Sequence, residues 1–347
     1  MLSPIDRLFY TARQGARVAW YMGHYFVSQR YHRPARQDEV RRRPSRPGPS
    51  RDRVLSDMAR LFERDLANAE AGHYPLPRDH DGSIAEMLAS SRRYFADLPS
   101  TVERKAERRG HEVNSAQLER KLPDYFLQNF HYQTGGYLTE DSAKLYDIQV
   151  EILFSGSANA MRRQCLVPLS QFMAGRDQRR VRLLDVACGT GRFLRFVKQA
   201  WPRINASGLD LSEPYLTEAR HHLKPYDDVA LEAGNAESLP FADASFDVVT
   251  SIYLFHEVPP EVRRTIAGEF ARVLKPGGRL IFMDSLQMGD IADYDALLES
   301  FPVAFHEPYY ESYTREDLFG LFAAQGLEPV SAEPVFFSKL VVCDKPE

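Results

Sequence analysis

The sequence has little cysteine, no long apolar run and few acids near its amino end. Its three cysteines, Cys165, Cys188 and Cys343, show no CxxC or CxxH spacing and leave an odd thiol under any pairing. The sequence therefore indicates neither a disulfide framework nor a metal site, and a reducing cytoplasm is the expected location. No apolar stretch reaches the ~20 residues of a membrane-spanning helix, and we expect no signal peptide.

The chain does contain enough apolar material for a large core. Its 347 residues are 44% hydrophobic, which excludes a wholly disordered protein. The net charge is −4, but residues 1–53 hold twelve arginines against four acids. The amino-terminal segment is thus strongly basic, and the remainder of the chain is acidic.

Residues 1–32 predict an amphipathic helix in which arginines lie between apolar positions. We expect this helix to pack on the body of the protein or on a second subunit. The alternative is a peripheral position on a membrane surface, held by residues 1–53 through arginine and aromatic contacts. The apolar positions at helical spacing are Leu8, Phe9, Ala12, Ala16, Ala19, Trp20, Tyr21 and Phe26.

Two further segments precede the motif region. Residues 33–53 are rich in arginine and proline and predict a flexible linker; they contain no aromatic residue for base stacking, so nucleic-acid binding is disfavoured. Residues 54–173 predict a helical cap or lid region. Within it, Tyr132 and Tyr137 flank a glycine pair in "YQTGGY" and are candidate acceptor-binding residues, with core packing as the alternative.

From residue 174 onward the pattern changes to alternating strands and helices. Strand signals occur near "VRLLDVA", "NASGLDL", "VALEAGNA", "SFDVVTSIYLF" and "GRLIFMDS", with helical segments between them. These repeats predict a Rossmann-like, doubly wound, mostly parallel sheet over residues 174–347, with ligands at the carboxyl ends of its strands. Near the end, "TREDLFGLFAAQGL" predicts a helix with Thr314 as its N-cap.

A glycine-containing turn follows the first strand in "LLDVACGTGRFL", where Gly189 and Gly191 predict close approach to a ligand. The dinucleotide fingerprint needs a third glycine, which Leu194 replaces here, and Asp185 at the strand end would repel a pyrophosphate. An NAD-dependent oxidoreductase is therefore disfavoured. S-adenosylmethionine suits the carboxylate better, because it carries an ammonium and a sulfonium group.

The same stretch resembles the first motif, DxGxGxG, of the class I S-adenosylmethionine-dependent methyltransferases, with Ala187 in place of its first glycine. We expect alanine to be a mild departure, because Gly189 and Gly191 make the turn. The segments "SGLDLSE", "GNAESLPFADASFDVV" and "RVLKPGGRLIFMDS" follow in the family's order. The resemblance implies S-adenosylmethionine as cofactor and a small-molecule acceptor, since the short third segment is common in enzymes that act on small molecules.

The resemblance also implies roles for individual residues. Asp210, at the end of the second strand, is expected to accept both ribose hydroxyls, and Asn235 and Ala236 are expected to meet the adenine edge. The complete set of expected cofactor contacts is Asp185, Ala187, Gly189, Gly191, Asp210, Leu211, Asn235, Ala236 and Tyr253.

The loop after the fourth strand, "SIYLFHEVPP", faces the methyl group in this fold. It lacks the [DNS]PP[YFW] tetrapeptide of nucleic-acid and protein amino-methyltransferases, so base methylation is disfavoured. His256 is the candidate general base, because its unperturbed pKa lies near neutrality; packing against the cofactor or capping a helix is the alternative. Tyr309 and Tyr310, in "HEPYYESY", are candidate acceptor-binding residues, with surface packing as the alternative.

The predicted function is S-adenosylmethionine-dependent methyl transfer to a small lipophilic or aromatic molecule. The alternative is a non-catalytic S-adenosylmethionine-binding protein whose arginine-rich arm contacts a partner or a membrane. The sequence leaves open the acceptor, the methylated atom and the oligomeric state.

Overall fold

The computed structural model describes residues 2–31, 44, 46–79, 81–113, 122–226 and 228–347. The chain divides into two units. The helical unit comprises Met1–Ala71, Leu76–Ala160 and Asp293–Pro308, and the sheet unit comprises Gly72–Pro75, Met161–Ala292 and Tyr309–Glu347. Residues 161–173 thus group with the sheet, ahead of the expected boundary at 174, and residues 293–308 group with the helices. Most of the expected linker, residues 33–43 and 45, lies outside the described residues.

Seven strands form the central sheet of the sheet unit, in the order β3-β2-β1-β4-β5-β7-β6. The five strands β1 to β5 run parallel, and β7 pairs antiparallel with both β5 and β6. The strand order reverses between β1 and β4, where doubly wound sheets bind their ligands. The predicted Rossmann-like fold is confirmed. The strands are β1 Arg182–Val186, β2 Asn205–Asp210, β3 Val229–Ala233, β4 Phe246–Ile252, β5 Leu274–Ser285, β6 Glu328–Val335 and β7 Ser338–Asp344.

Helices connect these strands as the alternation of patterns predicts. One predicted cap is wrong: Asp317 caps the helix Leu318–Ala323 and accepts a hydrogen bond from the Gly320 amide at 2.9 Å. Thr314 ends the preceding short helix instead, and its hydroxyl donates back to the Glu311 carbonyl at 2.9 Å. The helices that lie in the sheet unit are α6 Leu166–Met173, α7 Arg192–Ala200, α8 Glu213–Leu223, α9 Pro260–Val273, α11 Tyr310–Tyr313 and α12 Leu318–Ala323.

The helix that follows β1, α7, packs on β2 without the third glycine of dinucleotide-binding folds. Leu194 on α7 is fully buried, and the glycine that makes room for it lies on the opposite side of the contact. A Cβ atom on Gly208 would lie 2.7 Å from Leu194 Cδ1 and 2.8 Å from Cys188 Sγ. Cys188 therefore fills space beneath the turn, and Gly208 replaces the missing glycine in helix-to-strand packing.

The helical unit is built from long helices, of which α1 is attached mainly through polar side chains. Tyr10 donates to Asp65 at 2.6 Å, Gln14 donates to Asp79 at 2.8 Å, and Arg17 pairs with Asp81. The helices of this unit are α1 Pro4–Tyr31, α2 Arg51–Glu70, α3 Ile84–Glu107, α4 Glu140–Leu153 and α10 Asp295–Ala304; α5, Ala158–Arg163, begins in it and ends in the sheet unit.

The apolar stripe of α1 faces away from this packed side. Leu8 and Phe9 are each 69% exposed and Phe26 is 50% exposed, whereas Tyr21 is buried on the opposite side. The helix packs within its own unit, mostly through polar side chains, with Tyr21 in an apolar cluster with Leu145 and Ile148. Most of the apolar positions that the sequence places at helical spacing stay exposed.

The close approach of Leu194 to Gly208 gives a stability prediction. We expect Gly208→Ala to lower the free energy of unfolding by about 1–3 kcal/mol, since the added methyl group must displace a buried leucine and a buried cysteine. Urea-induced unfolding of the purified protein measures this change. Gly15→Ala is the matched control, because a Cβ on Gly15 meets no atom within 4 Å and should stabilise α1. An unchanged unfolding free energy for Gly208→Ala would contradict the packing argument.

Candidate active site

The carboxyl ends of the central parallel strands bring the chemically distinctive residues to one edge of the sheet. Asp185 lies near the end of β1, Asp210 ends β2, Tyr253 follows β4 and Asp284 lies near the end of β5. These four strands are neighbours in the sheet. The edge therefore carries three carboxylates, which is unusual unless cationic or hydrogen-bonding groups meet them.

In the turn after β1, every second residue from Ala187 to Gly191 has a left-handed backbone conformation. Ala187, Gly189 and Gly191 have φ values of +59°, +54° and +73°. Alanine in this region costs roughly 1–2 kcal/mol, so its substitution for the family's first glycine is less mild than expected. Ala187 therefore takes part in the turn together with Gly189 and Gly191, which were expected to form it alone. Gly191 also packs closely, since a Cβ there would lie 2.8 Å from Leu223 Cδ1.

Asp185 is buried beneath this turn. Its Oδ1 accepts a hydrogen bond from Thr250 Oγ1 at 2.6 Å. Burial raises the pKa of Asp185 to about 7, and the neighbouring Asp210 adds to the rise. Arg162 acts in the opposite direction, because its positive charge favours the ionised carboxylate. A second cation near this carboxyl would favour its charged form further.

Asp210 ties the end of β2 to the glycine turn. Its Oδ2 accepts the Gly189 amide at 2.8 Å, and its Oδ1 accepts the Ser212 amide at 2.8 Å. The Leu211 amide also hydrogen-bonds to this carboxylate, and burial outweighs these bonds and raises the pKa of Asp210 to about 6. Asp210, which is predicted to accept hydrogen bonds from the ribose hydroxyls, thus contacts the glycine turn directly.

The turn after β3 carries the predicted adenine-edge residues. The Gly234 amide donates to the Asp210 carbonyl at 3.0 Å, which holds this segment beside β2. Asn235 closes a tight turn in which its Oδ1 accepts the Glu237 amide at 2.9 Å. Asn235 and Ala236 are both half-buried next to Asp210.

Tyr253 occupies a strained position after β4. Its φ is +63°, and its hydroxyl shares a 2.7 Å hydrogen bond with Ser338 Oγ on β7. The guanidinium of Arg162 lies 5.7 Å from the centre of its ring, and burial raises the pKa of Tyr253 to about 12. Such a conformation for a bulky residue is typical of functional sites. Nothing in the sequence singled out Arg162 or Ser338.

A histidine and a carboxylate form a close pair beside Tyr253. His256 Nδ1 lies 2.5 Å from Asp284 Oδ1, and both side chains are buried. Since a carboxylate only accepts hydrogen bonds, Nδ1 donates to Asp284, and a neutral ring then has its lone pair at Nε2, which lies 3.8 Å from Glu257 Oε1. Asp284 Oδ2 also accepts the Phe255 amide at 2.7 Å. Asp284 is not among the predicted site residues, although it lies near a strand end as Asp185 and Asp210 do.

The segment 309–317, which follows β5 in the sheet unit and is called the insertion here, supplies aromatic rings to this pair. The ring centre of His256 lies 6.0 Å from that of Tyr310 and 6.3 Å from that of Tyr313. The Tyr310 hydroxyl bonds to Ser285 Oγ at 2.6 Å, and the Tyr313 hydroxyl donates to the Ser285 carbonyl at 2.6 Å. Their rings therefore border His256, whereas their hydroxyl groups hold the insertion to the end of β5.

A buried arginine fixes the loop and the insertion together. Arg263 Nε donates to the Phe255 carbonyl at 2.8 Å, and its Nη2 donates to the Tyr309 carbonyl at 2.8 Å. Tyr309 thus contributes its backbone here, and its side chain is half-buried. Arg263 shares a helical face with the buried Ile266 and Ala267, a signal that sequence periodicity contained.

The two tyrosines predicted in the cap region lie in the helical unit. Tyr137 stacks on Phe130 with ring centres 5.4 Å apart and planes inclined by 13°. Tyr132 is buried as well, with its ring centre 5.7 Å from that of His306. Both tyrosines make core contacts within their own unit, and their acceptor-binding role stays a prediction.

Comparison with known proteins supplies the family. The family described as "Methyltransferase domain" matches residues 183–278. A curated relative named demethylmenaquinone methyltransferase, from Thermotoga maritima, is 31% identical over 216 residues, which cover 56% of this chain and 88% of the relative. The chain belongs to the class I S-adenosylmethionine-dependent methyltransferases.

Other relatives of this methyltransferase match over shorter lengths. Phthiotriol/phenolphthiotriol dimycocerosates methyltransferase 1 of Mycobacterium ulcerans is 37% identical over 124 residues, 35% of this chain and 44% of the relative. The chain spans about half the length of the first curated relatives it matches. A solved S-adenosylmethionine-dependent methyltransferase from Aquifex aeolicus is 17% identical, with a TM-score of 0.44 over 60% of this chain and 98% of that one.

The position of Arg263 gives a prediction for this methyltransferase. We expect Arg263→Ala to lower the free energy of unfolding by about 3 kcal/mol, because it leaves one buried and one partly buried carbonyl without their donor and opens a cavity. Arg264→Ala is the control, since the neighbouring arginine is exposed on the same helix and should change stability by less than about 0.5 kcal/mol. Urea-induced unfolding measures both, and equal losses would refute the buried role of Arg263.

Proposed function

We propose that this protein transfers a methyl group from S-adenosylmethionine to a small lipophilic or aromatic acceptor, with His256 as the general base. The observation that carries the proposal is the buried His256–Asp284 pair, with its 2.5 Å hydrogen bond, at the ligand-binding edge of the sheet. A purely cofactor-binding protein has no need of an oriented base.

The residues at the sheet edge fit the cofactor. Asp210 lies against the glycine turn and offers a carboxylate to two ribose hydroxyls, while Asn235 and Ala236 flank it for the adenine edge. Asp185 and Arg162 supply opposite charges close together, which suits the ammonium and carboxylate of an amino acid. When bound, the cofactor supplies an electrophilic methyl group and leaves as S-adenosylhomocysteine.

The chain's own residues then have two tasks. The glycine turn, Asp210 and Tyr253 hold the cofactor in one orientation, so that the acceptor atom meets the methyl carbon in line. His256 accepts the proton that the acceptor atom loses, while Asp284 keeps the imidazole in the required tautomer and stabilises its protonated form. The net reaction releases one proton for each methyl group transferred.

The lipophilic character of the acceptor rests on two observations. Tyr310 and Tyr313 present aromatic rings around His256, with their hydroxyl groups bonded elsewhere. Relatives are named for demethylmenaquinone and for phthiotriol dimycocerosates as acceptors. Supplying S-adenosylmethionine with lipid and aqueous fractions of a cell extract tests this class: S-adenosylhomocysteine release is expected with the lipid fraction, and release only with the aqueous fraction would overturn it.

The two buried acids give a pH prediction for cofactor binding. Asp185 and Asp210 have pKa values raised to about 7 and about 6, and a cationic, hydroxyl-bearing ligand prefers both ionised. Protonation below these values therefore competes with the ligand, and we expect the S-adenosylmethionine Kd to rise about tenfold or more from about pH 8 to about pH 6. Isothermal titration calorimetry measures the Kd, with NAD as a ligand that should not bind.

Variants separate this effect from general pH sensitivity. Asp185→Asn should weaken binding at about pH 8 and flatten the pH dependence, since the larger of the two protonation steps is removed. Asp243→Asn, at an exposed acid outside the site, should retain the wild-type profile. A Kd that is constant over this range in the wild type would contradict the assignment of the two carboxylates.

His256 gives a kinetic prediction. We expect His256→Ala to lower kcat by about 10²–10⁴-fold and to leave S-adenosylmethionine affinity nearly unchanged, because a base acts on the acceptor proton only in the transition state. His221→Ala is the control, since this histidine is exposed on α8. The rate of S-adenosylhomocysteine release and calorimetric binding are measured together, and comparable losses in both would refute the role of base.

A further inference from the structure

The outward face of α1 is apolar along almost its whole length. At 100° per residue, one sector of about 100° contains no charged residue from the first turn of the helix to the seventh. We call this sector the outer stripe; it consists of Ile5, Leu8, Phe9, Ala12, Ala16, Ala19, Gly23, Phe26 and Val27, all exposed.

The inward face of the same helix is polar. The buried residues follow the same spacing on the opposite side, and most form hydrogen bonds or ion pairs within the helical unit; Arg17, for example, bonds to Glu151 at 3.1 Å as well as to Asp81. They are Tyr10, Gln14, Arg17, Tyr21, His24 and Ser28. A helix of a globular protein normally buries its apolar face, so this reversed orientation marks the outer stripe as a docking surface.

The charges that border the outer stripe are positive. Arg13 lies beside the stripe, Arg30 lies in the same sector in the last turn of the helix, and both are exposed. The guanidinium of Arg51 lies 5.8 Å from the ring centre of Phe26. Asp6 is the one acid of α1, which is described throughout; it is half-buried and accepts a hydrogen bond from Ser3 Oγ at 2.7 Å. Residues 33–53 add eight arginines against three acids. The matching partner is therefore apolar in depth and negatively charged at its surface.

We propose that the outer stripe binds the surface of a membrane that contains anionic lipids. A helix of 28 residues is about 42 Å long and lies in the interface plane, with Leu8, Phe9 and Phe26 among the acyl chains and the arginines at the headgroups. None of the described helices is long and apolar enough to cross a bilayer. A second copy of the chain fits this face less well, because a two-fold pair of α1 helices brings Arg13 and Arg30 of both copies to one interface, and α1 has no exposed acid to pair with them.

Vesicle cosedimentation of the full chain tests the proposal. We expect binding to mixed phosphatidylcholine and phosphatidylglycerol vesicles, at least about tenfold weaker binding to phosphatidylcholine alone, and loss of binding as salt is raised. Leu8→Glu combined with Phe9→Glu should weaken binding to the anionic vesicles by about tenfold or more, since both side chains lose their apolar contact and oppose the surface charge.

A matched variant excludes a general effect of added charge. Ile84→Glu combined with Val330→Glu makes the same two changes at exposed apolar positions outside α1, which are 78% and 53% exposed, and should bind as the wild type does. Circular dichroism verifies that both double variants fold. Equal weakening in the two variants, or equal binding to both kinds of vesicle, would overturn the proposal.

Analytical ultracentrifugation tests the alternative that the outer stripe binds a second copy of the chain. A wild-type dimer that dissociates in the Leu8→Glu, Phe9→Glu variant, together with no vesicle binding, would show that the outer stripe joins two copies and would overturn the membrane assignment. Vesicle binding requires neither cofactor nor acceptor, so its failure would leave the proposed methyl transfer untouched.

Discussion

The Asp284 carboxylate is the group on which the geometry of the candidate active site depends most. One oxygen accepts the Phe255 amide at 2.7 Å and the other lies 2.5 Å from His256 Nδ1. A single side chain from β5 thus sets both the path of the loop after β4 and the direction of its histidine. Arg263 completes the arrangement from the far side, because it bonds to the Phe255 carbonyl at 2.8 Å. Phe255, the residue before the candidate base, is therefore held through both its amide and its carbonyl group.

Local motifs made the cofactor site predictable, because the chemistry of the site is concentrated in short segments at strand ends. Asp185, Asp210 and the glycine turn are each recognisable within a few residues of a strand. Asp284 also lies near the end of a strand, so its position was predictable on the same ground. Arg162 and Ser338 are different, since they reach Tyr253 from segments far away in the chain and nothing in their neighbours' sequence indicates it.

The orientation of the amino-terminal helix is a feature that hydrophobic periodicity does not predict. Spacing identified most of the apolar stripe of α1, but it also included Tyr21, which is buried on the opposite side. Periodicity says which residues share a face and not which face is buried. The opposite face repeats at the same interval, from Tyr10 through Gln14 and Arg17, and its polar partners come from distant helices. Those tertiary hydrogen bonds decided the orientation, and a single sequence does not reveal them.

Ala187 and Tyr253 place conformational strain on both sides of the switch point, since each residue holds a left-handed backbone that side chains disfavour. Together they amount to about 2–4 kcal/mol, a sizeable fraction of the net stability of a typical domain. Favourable packing and hydrogen bonds in the surrounding sheet offset this cost in the folded state. Local opening at these two turns releases the strain, so the site edge is the part of the sheet where amide hydrogens should exchange first, well before the central strands unfold.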